Sequence, residues 1–359
     1  MSSDLQVKSD GSQQALDVGA RVDRIHREGI LIDMAWATNP SRPTPIVEGK
    51  NALDRAVGAG ITAANVTVAD YHDDFRKALI ELNKIDLLRQ AEPGKVILIE
   101  GVEDVRTAKR EGRLGIVTQF QTATPLEGDW QNTLRVLFRL GLRVLQLTYN
   151  EHNIFGDGCF EPHDRGLTAW GLQVVQALNS YGIIVDISHA GARTAMDIVK
   201  ASSRPVICSH ANAAALTPHP RNLSDDLIKA VGDSGGVVGA TAVGSFCATK
   251  GGQSTGLSAY LEHIDYLVGL IGPGHVGIGS DIGEDTALLP IPSDYEIQYG
   301  RATVEAEGTG PNSFVIEEFD RLDKIRAVTA GLIARGYTDD VISKILGGNF
   351  LRVASEVWH

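Results

Sequence analysis

The chain has 359 residues, 43% of them hydrophobic, which suffices for one large α/β barrel or two ordinary domains with a substantial core. A net charge of −12 argues against a nucleic-acid partner, which needs a basic surface, and against an anionic membrane. The three cysteines, Cys159, Cys208 and Cys247, show no CxxC spacing, no apolar run is long enough to span a bilayer, and the first twenty residues lack a signal-peptide core, so a reducing cytoplasmic location is expected.

Residues 1–19 are polar and read as a flexible arm, leaving 20–359 as a single barrel domain. Val22–Arg27 reads as a short helix and Ile30–Ile32 as a first strand that ends at Asp33-Met34-Ala35-Trp36-Ala37. Helices are then expected over Asn51–Gly58, Asp74–Arg89 and Val102–Arg110, alternating with strands at Ile61–Val68, Val96–Ile99 and Leu114–Phe120. Trp130–Leu140 is amphipathic and stops at Gly141, and Leu167–Tyr181 stops at Gly182, as helix C-termini do. Between them Val144–Leu147 delivers Thr148-Tyr149-Asn150. Two β-branched runs follow: Ile183–Asp186 runs into Ser188-His189 and Pro205–Cys208 into Ser209-His210, joined by a helix over Gly191–Ala201. Leu223–Val231 and Leu257–Leu270 read as helices, Val237–Thr241 as a strand, and His275–Ile278 leads into Gly279-Ser280-Asp281. Pro290–Gly310 reads as a surface loop, and Phe314–Gly331, Leu332–Gly336 and Asp339–Leu346 as helices. The alternation of about eight strands with helices predicts a (β/α)8 barrel of TIM type with extra C-terminal helices, against a doubly wound open sheet. No Walker loop or strand-borne GxGxxG supports nucleotide binding.

In a parallel α/β sheet ligands bind at the C-terminal ends of strands. The residues expected there are Asp33, Gln121, Tyr149, His189, His210 and Asp281. A lone histidine after a strand is usually a hydrogen-bonded loop residue, but two in register, each after a serine, suggest a divalent metal. His189 and His210 are therefore the main metal-ligand candidates, with Gln121 and Asp33 weaker ones. Asp281 can act as general base, proton shuttle or ligand, or simply cap the next helix. Tyr149 can donate to a developing oxyanion or be a core hydroxyl. Arg221 can clamp a substrate carboxylate or make a surface ion pair, and Asn222 and Asn150 join it as substrate-binding candidates. His152, His163, His219, His263 and His275 lack a partner at convincing spacing, and Asp157, Glu161 and Asp164 read as solvated charges on a loop around Cys159.

Eight segments, in order, carry a family resemblance: LGLRVLQLTYNEHN at 140–153, GLTAWG at 166–171, VDISH at 185–189, PVICSHANA at 205–213, PRNLSD at 220–225, GGVVG at 235–239, GIGSD at 277–281 and ILGGNFLRV at 345–353. With them the chain resembles the membrane (renal) dipeptidases, the M19 peptidases of the amidohydrolase superfamily. The resemblance implies a (β/α)8 barrel, often dimeric, with two zinc ions. A His-x-Asp pair after the first strand holds one ion, two histidines hold the other, and a glutamate bridges them. By that resemblance His189 and His210 match the two histidines, Asp281 the proton-handling aspartate and Arg221 the carboxylate-binding arginine. The chain departs elsewhere: Ala35 and Ala37 stand at the first pair, Gln121 (or Gln119) at the bridging glutamate, and Tyr149 at the oxyanion histidine. A reduced site holding one zinc, or none, is therefore expected, acting on a small carboxylated amide or dipeptide-like substrate with low ordinary dipeptidase activity. A metal-free enzyme using Tyr149 and Asp281, and a non-catalytic barrel, stay open beside it.

Overall fold

The computed structural model describes residues 17–69, 73–247, 256–284 and 315–358. Among the described residues there are nine strands: β1 (Ile32–Trp36), β2 (Ala63–Ala69), β3 (Val96–Leu98), β4 (Leu114–Phe120), β5 (Leu142–Gln146), β6 (Ile184–Asp186), β7 (Ile207–Cys208), β8 (Val237–Ala240) and β9 (Val276–Ile278). Eight pair in the order β1-β2-β4-β5-β6-β7-β8-β9, with β3 attached to β4, and every ladder is parallel. This is the expected (β/α)8 barrel of TIM type.

The first and last strands meet at a seam. The backbone N–H of Asp281 donates to the Ala35 carbonyl at 2.8 Å and that of Thr38 to the Ile282 carbonyl at 3.0 Å. Asp33 clasps the same seam: its buried carboxylate accepts from the N–H groups of Ser280 (2.9 Å) and Ala35 (3.0 Å) and from the Ser280 hydroxyl. Asp33 is thus the second residue of β1 rather than a residue beyond its end, because the strand runs on through it to Trp36.

Helix starts follow local chemistry. The side chains of Asn51, Asp74, Thr168 and Ser224 each accept a backbone N–H in the first turn of the helix they precede. Gly182 ends Ala169–Tyr181 at φ 72°, a left-handed turn that glycine adopts without penalty.

The barrel floor is apolar. Ile32, Met34, Val117, Val144, Ile184, Ile207 and Val237 cluster with Phe350, Val353 and Trp358 of the C-terminal segment. The helix Asn349–Val357 therefore plugs the N-terminal end of the barrel, opposite the histidines. The helix expected over Asp339–Leu346 does not end there. Instead a π-helical turn over Lys344–Gly348 carries the chain through, and a side chain at Gly347 would collide with the backbone of Ile30 and Ile32. Two further expectations need correction. Residues 17–28 are helical, so the N-terminal part of the domain starts before residue 20; residues 1–16 of the expected arm lie outside the described residues. The expected helix from Phe314 is two 3-10 turns, Glu317–Phe319 and Leu322–Lys324, before the helix Ile325–Ala334. The Pro290–Gly310 loop lies outside the described residues. Among the described residues no helix is long and apolar enough to cross a membrane.

Two buried histidines tie distant elements together. His26 pairs with Thr329 at 2.7 Å, and His263 receives the Ala213 N–H at 3.2 Å and faces the Thr217 hydroxyl at 3.1 Å. Burial, aided at His26 by the charges of Arg326 and Lys109, pulls each imidazole down to about 4. The unfolded chain takes up these protons near 6.5, so between pH 6.5 and 4 it binds more protons than the fold. Their stabilisation is complete above pH 6.5 and is lost as pH falls through that window. Thermal melts followed by circular dichroism should show Tm declining from pH 7 to 4.5, less steeply in His263→Asn; a wild-type Tm that does not decline would contradict this.

Candidate active site

β6 and β7 place their histidines as their spacing implies. The two Nε2 atoms converge to 2.8 Å and the rings meet edge-on, centroids 4.9 Å apart. Both imidazoles are buried, and each is held from behind. His189 Nδ1 lies 2.7 Å from Asn150 Oδ1; a carbonyl oxygen only accepts, so this nitrogen carries the proton and Nε2 is left with its lone pair. His210 Nδ1 lies 2.7 Å from Ser209 Oγ. Burial and the positive charge of Arg221 hold both histidines well below their ordinary value, so both are neutral near pH 7, as metal ligands must be.

Beneath the pair lies an organiser that strand-end reasoning did not single out. The Asp186 carboxylate, fully buried, accepts from the N–H of Ser188 (3.0 Å), the Ser188 hydroxyl (2.9 Å), the N–H of Ser209 (2.9 Å) and Gln119 Nε2 (2.9 Å). It fixes the backbone immediately before both histidines. Its Asp-x-Ser-His spacing was the available signal, but the partnership with Ser209, 23 positions away, is not local.

The other candidates divide. Tyr149 stacks on His189, centroids 4.0 Å apart. Arg221 is buried; its guanidinium donates to the His210 carbonyl at 3.4 Å and lies 5.4 Å above the Phe246 ring. Asp281 is half-buried just past β9 at φ 58°, and His189 has φ 66°. Among the described residues the only other non-glycine at positive φ is Glu48, so two of the three left-handed side chains are candidate site residues. Asn150 is a positioning group for His189. Asn222 belongs to the scaffold: its amide donates to the carbonyls of Thr217 and Phe246 and accepts the Asn212 N–H. Gln121 donates to Thr67 Oγ1 at 3.0 Å, whereas Gln119 reaches the network under the histidines. Asp33 is engaged in the seam, and Ala35 and Ala37 offer no side-chain donor.

Among the described residues no three His, Cys, Asp or Glu side chains gather where an ion could be held. The two imidazoles could supply part of the shell of an ion.

The loop after β5 is strapped over this centre, and Asp157, Glu161 and Asp164 are each engaged in hydrogen bonds. Asp157 is buried and accepts from Arg165 through the backbone N–H (2.6 Å), Nε (3.1 Å) and a terminal nitrogen (2.7 Å). Asp164 takes the N–H groups of Arg193 and Thr194, capping the helix Ala192–Ala201 that Gly191 cannot cap. Glu161 accepts from His152 at its N–H and Nδ1. The strap reaches the site through Cys159 N–H to the His189 carbonyl (2.8 Å) and Phe160 N–H to the Asn150 carbonyl (2.9 Å). Only glycine fits at 158, where a side chain would collide with the backbone of Tyr149 and Asn150. A cleft of about 590 Å3 lies elsewhere on this strap, along His152, Asn153, Arg165 and Leu167; none of the candidate site residues lines it.

A sequence model of the membrane dipeptidase family, peptidase family M19, matches residues 21–290. An uncharacterised protein of the pqqA 5′ region of Klebsiella pneumoniae is 28% identical over 273 residues, covering 74% of this chain and 90% of its own. The dipeptidase verJ of Clonostachys rogersoniana is 28% identical over 298 residues, covering 82% and 69%. Among solved structures, an amidohydrolase from Pseudomonas aeruginosa has TM-score 0.81 at 29% identity over 94% of this chain and 99% of its own. A metallo peptidase from Rhodobacter sphaeroides, liganded with a phosphinate mimic of the dipeptide L-Ala-D-Ala, has TM-score 0.76 at 22% identity over 92% and 100%, a likeness of fold alone. With three-quarters of its length matched, the chain belongs to the membrane dipeptidase family, peptidase family M19, and is a dipeptidase-like hydrolase at that level.

Proposed function

We propose that this chain hydrolyses an amide or related bond of a small carboxylated, dipeptide-like substrate at a reduced site centred on His189 and His210, with little activity on ordinary dipeptides. The observation that carries this reading is the 2.8 Å convergence of two neutral Nε2 atoms; Ala35 in β1 and Ala37 just after it offer no side-chain ligand. His189 and His210 would hold one zinc ion, and an ion bound there supplies Lewis acidity. Arg221, buried beside them, binds the substrate carboxylate. The Tyr149 hydroxyl donates to the oxygen on which charge develops, Asp281 takes and returns the proton, and Asn150 keeps His189 in its tautomer. The thiols of Cys159, Cys208 and Cys247, none of them in a disulfide among the described residues, support a reducing, cytoplasmic setting, and a homodimer is the assembly we propose.

A second reading, metal-free acid–base chemistry by Tyr149 and Asp281, is favoured by one observation. If the Ser209 hydroxyl donates to His210 Nδ1, His210 Nε2–H donates to His189 Nε2 and His189 Nδ1–H to Asn150, the chain of hydrogen bonds closes without an ion. If His210 donates to Ser209 instead, two lone pairs face each other and a cation or proton must lie between them.

Purified protein assayed on a panel of simple dipeptides should show kcat/KM below about 10^2 M−1 s−1, against about 10^4–10^8 for typical enzymes on their own substrates. Brisk hydrolysis within that usual range would overturn the reduced site.

A further inference from the structure

We infer that Phe160, His219 and Phe246 form an aromatic wall beside Arg221 that receives a flat side chain of the substrate, so that aromatic carboxylated amides are selected over small aliphatic ones. The inference rests on the reading of Arg221 as the carboxylate anchor.

Three separate segments bring these rings together: the strap after β5, the loop after β7 and the turn after β8. His219 lies 4.5 Å from Phe246, centroid to centroid, and meets Phe160 edge-on at 6.4 Å. The guanidinium of Arg221 stands over the Phe246 ring. Each ring is fixed by backbone contacts. The Arg221 N–H donates to His219 Nδ1 at 3.1 Å, which leaves the ring proton on Nε2. The Phe246 carbonyl accepts from both Asn212 (3.3 Å) and Asn222 (3.0 Å), and the Phe160 N–H is tied to Asn150.

Simple core packing would bury all three rings. Only Phe246 is buried; Phe160 and His219 are half-buried, presenting part of their surface outward. In an α-amino acid the side chain leaves the carbon that bears the carboxylate. A substrate anchored at Arg221 therefore carries its side chain one bond from the carbon next to the anchored carboxylate, and the Phe246 ring lies 5.4 Å from the guanidinium. Aromatic rings held rigid gain edge-on or offset contact with an incoming ring at little entropic cost.

The test is calorimetric titration of the full-length protein with N-acetyl-phenylalanine and N-acetyl-alanine, each enantiomer separately. The wild type should bind the phenylalanine probe about tenfold or more tightly than the alanine probe, from burial of one aromatic side chain. Phe160→Ala should narrow that ratio to about threefold or less, and Phe160→Trp, which keeps a ring, should preserve it. Arg221→Gln should weaken both probes alike. Equal wild-type affinities with both probes weakened by Arg221→Gln would overturn the wall and leave the anchor standing. A ratio unchanged in both Phe160→Ala and His219→Leu would also overturn the wall. Binding indifferent to Arg221→Gln, or no binding of either probe, would overturn the carboxylate reading itself.

Discussion

Asp186→Ala will destabilise the fold by about 3–5 kcal/mol and misplace both site histidines. The carboxylate has no exposed surface, and its removal strands four donors: two backbone N–H groups, the Ser188 hydroxyl and the Gln119 amide. Burial pushes the Asp186 carboxyl up, and the donations from Ser209 and Ser188 act against that rise. Without the side chain those donors face each other in a space that excludes bulk water. Asp186→Asn should cost less, since one oxygen remains, yet its NH2 must oppose a donor. Urea unfolding of the three proteins checks the order, wild type, Asn, Ala. A loss below about 1 kcal/mol for Asp186→Ala, the net worth of one ordinary hydrogen bond, would show that the four contacts do not hold the site.

Arg221→Gln will weaken binding of a carboxylate-bearing ligand by about 2–4 kcal/mol, about 30- to 1000-fold. The guanidinium is buried beside the two histidines, so a carboxylate meeting it is stripped of competing water. The same substitution removes the nearest positive charge that depresses His189 and His210. Kinetics on any turned-over substrate should show the loss mainly in KM, as expected for a contact made equally in ground and transition states. A loss confined to kcat would assign Arg221 to the reacting centre instead.

The barrel, most strand tips and the histidine pair were legible because they follow from local pattern. β-branched runs, glycine stops such as Gly182 and the repeated Ser-His need only a few neighbouring residues to be read. What escaped depends on partners that strand and helix periodicity does not reveal, several of them far along the chain. Asp33 looks like a strand-end ligand until Ser280, 247 positions away, is seen to engage it. Asp157 and Asp164 look solvated until Arg165 and the helix at Arg193 turn toward them. Asn222 looks like a binding residue beside Arg221, but its amide is taken up by carbonyls of two loops. The family resemblance leads one to expect departures at Ala35, Ala37 and Gln121 (or Gln119); of the two glutamines, Gln119 bonds into the network under the histidines and Gln121 bonds Thr67.

The measurement that bears most directly on this account is the zinc content of the purified protein, by elemental analysis, beside that of a His189→Ala/His210→Ala double variant shown to be folded. Two converging neutral imidazoles predict about one equivalent in the wild type and none in the variant. Two equivalents, none at all, or one that survives loss of both histidines would contradict it.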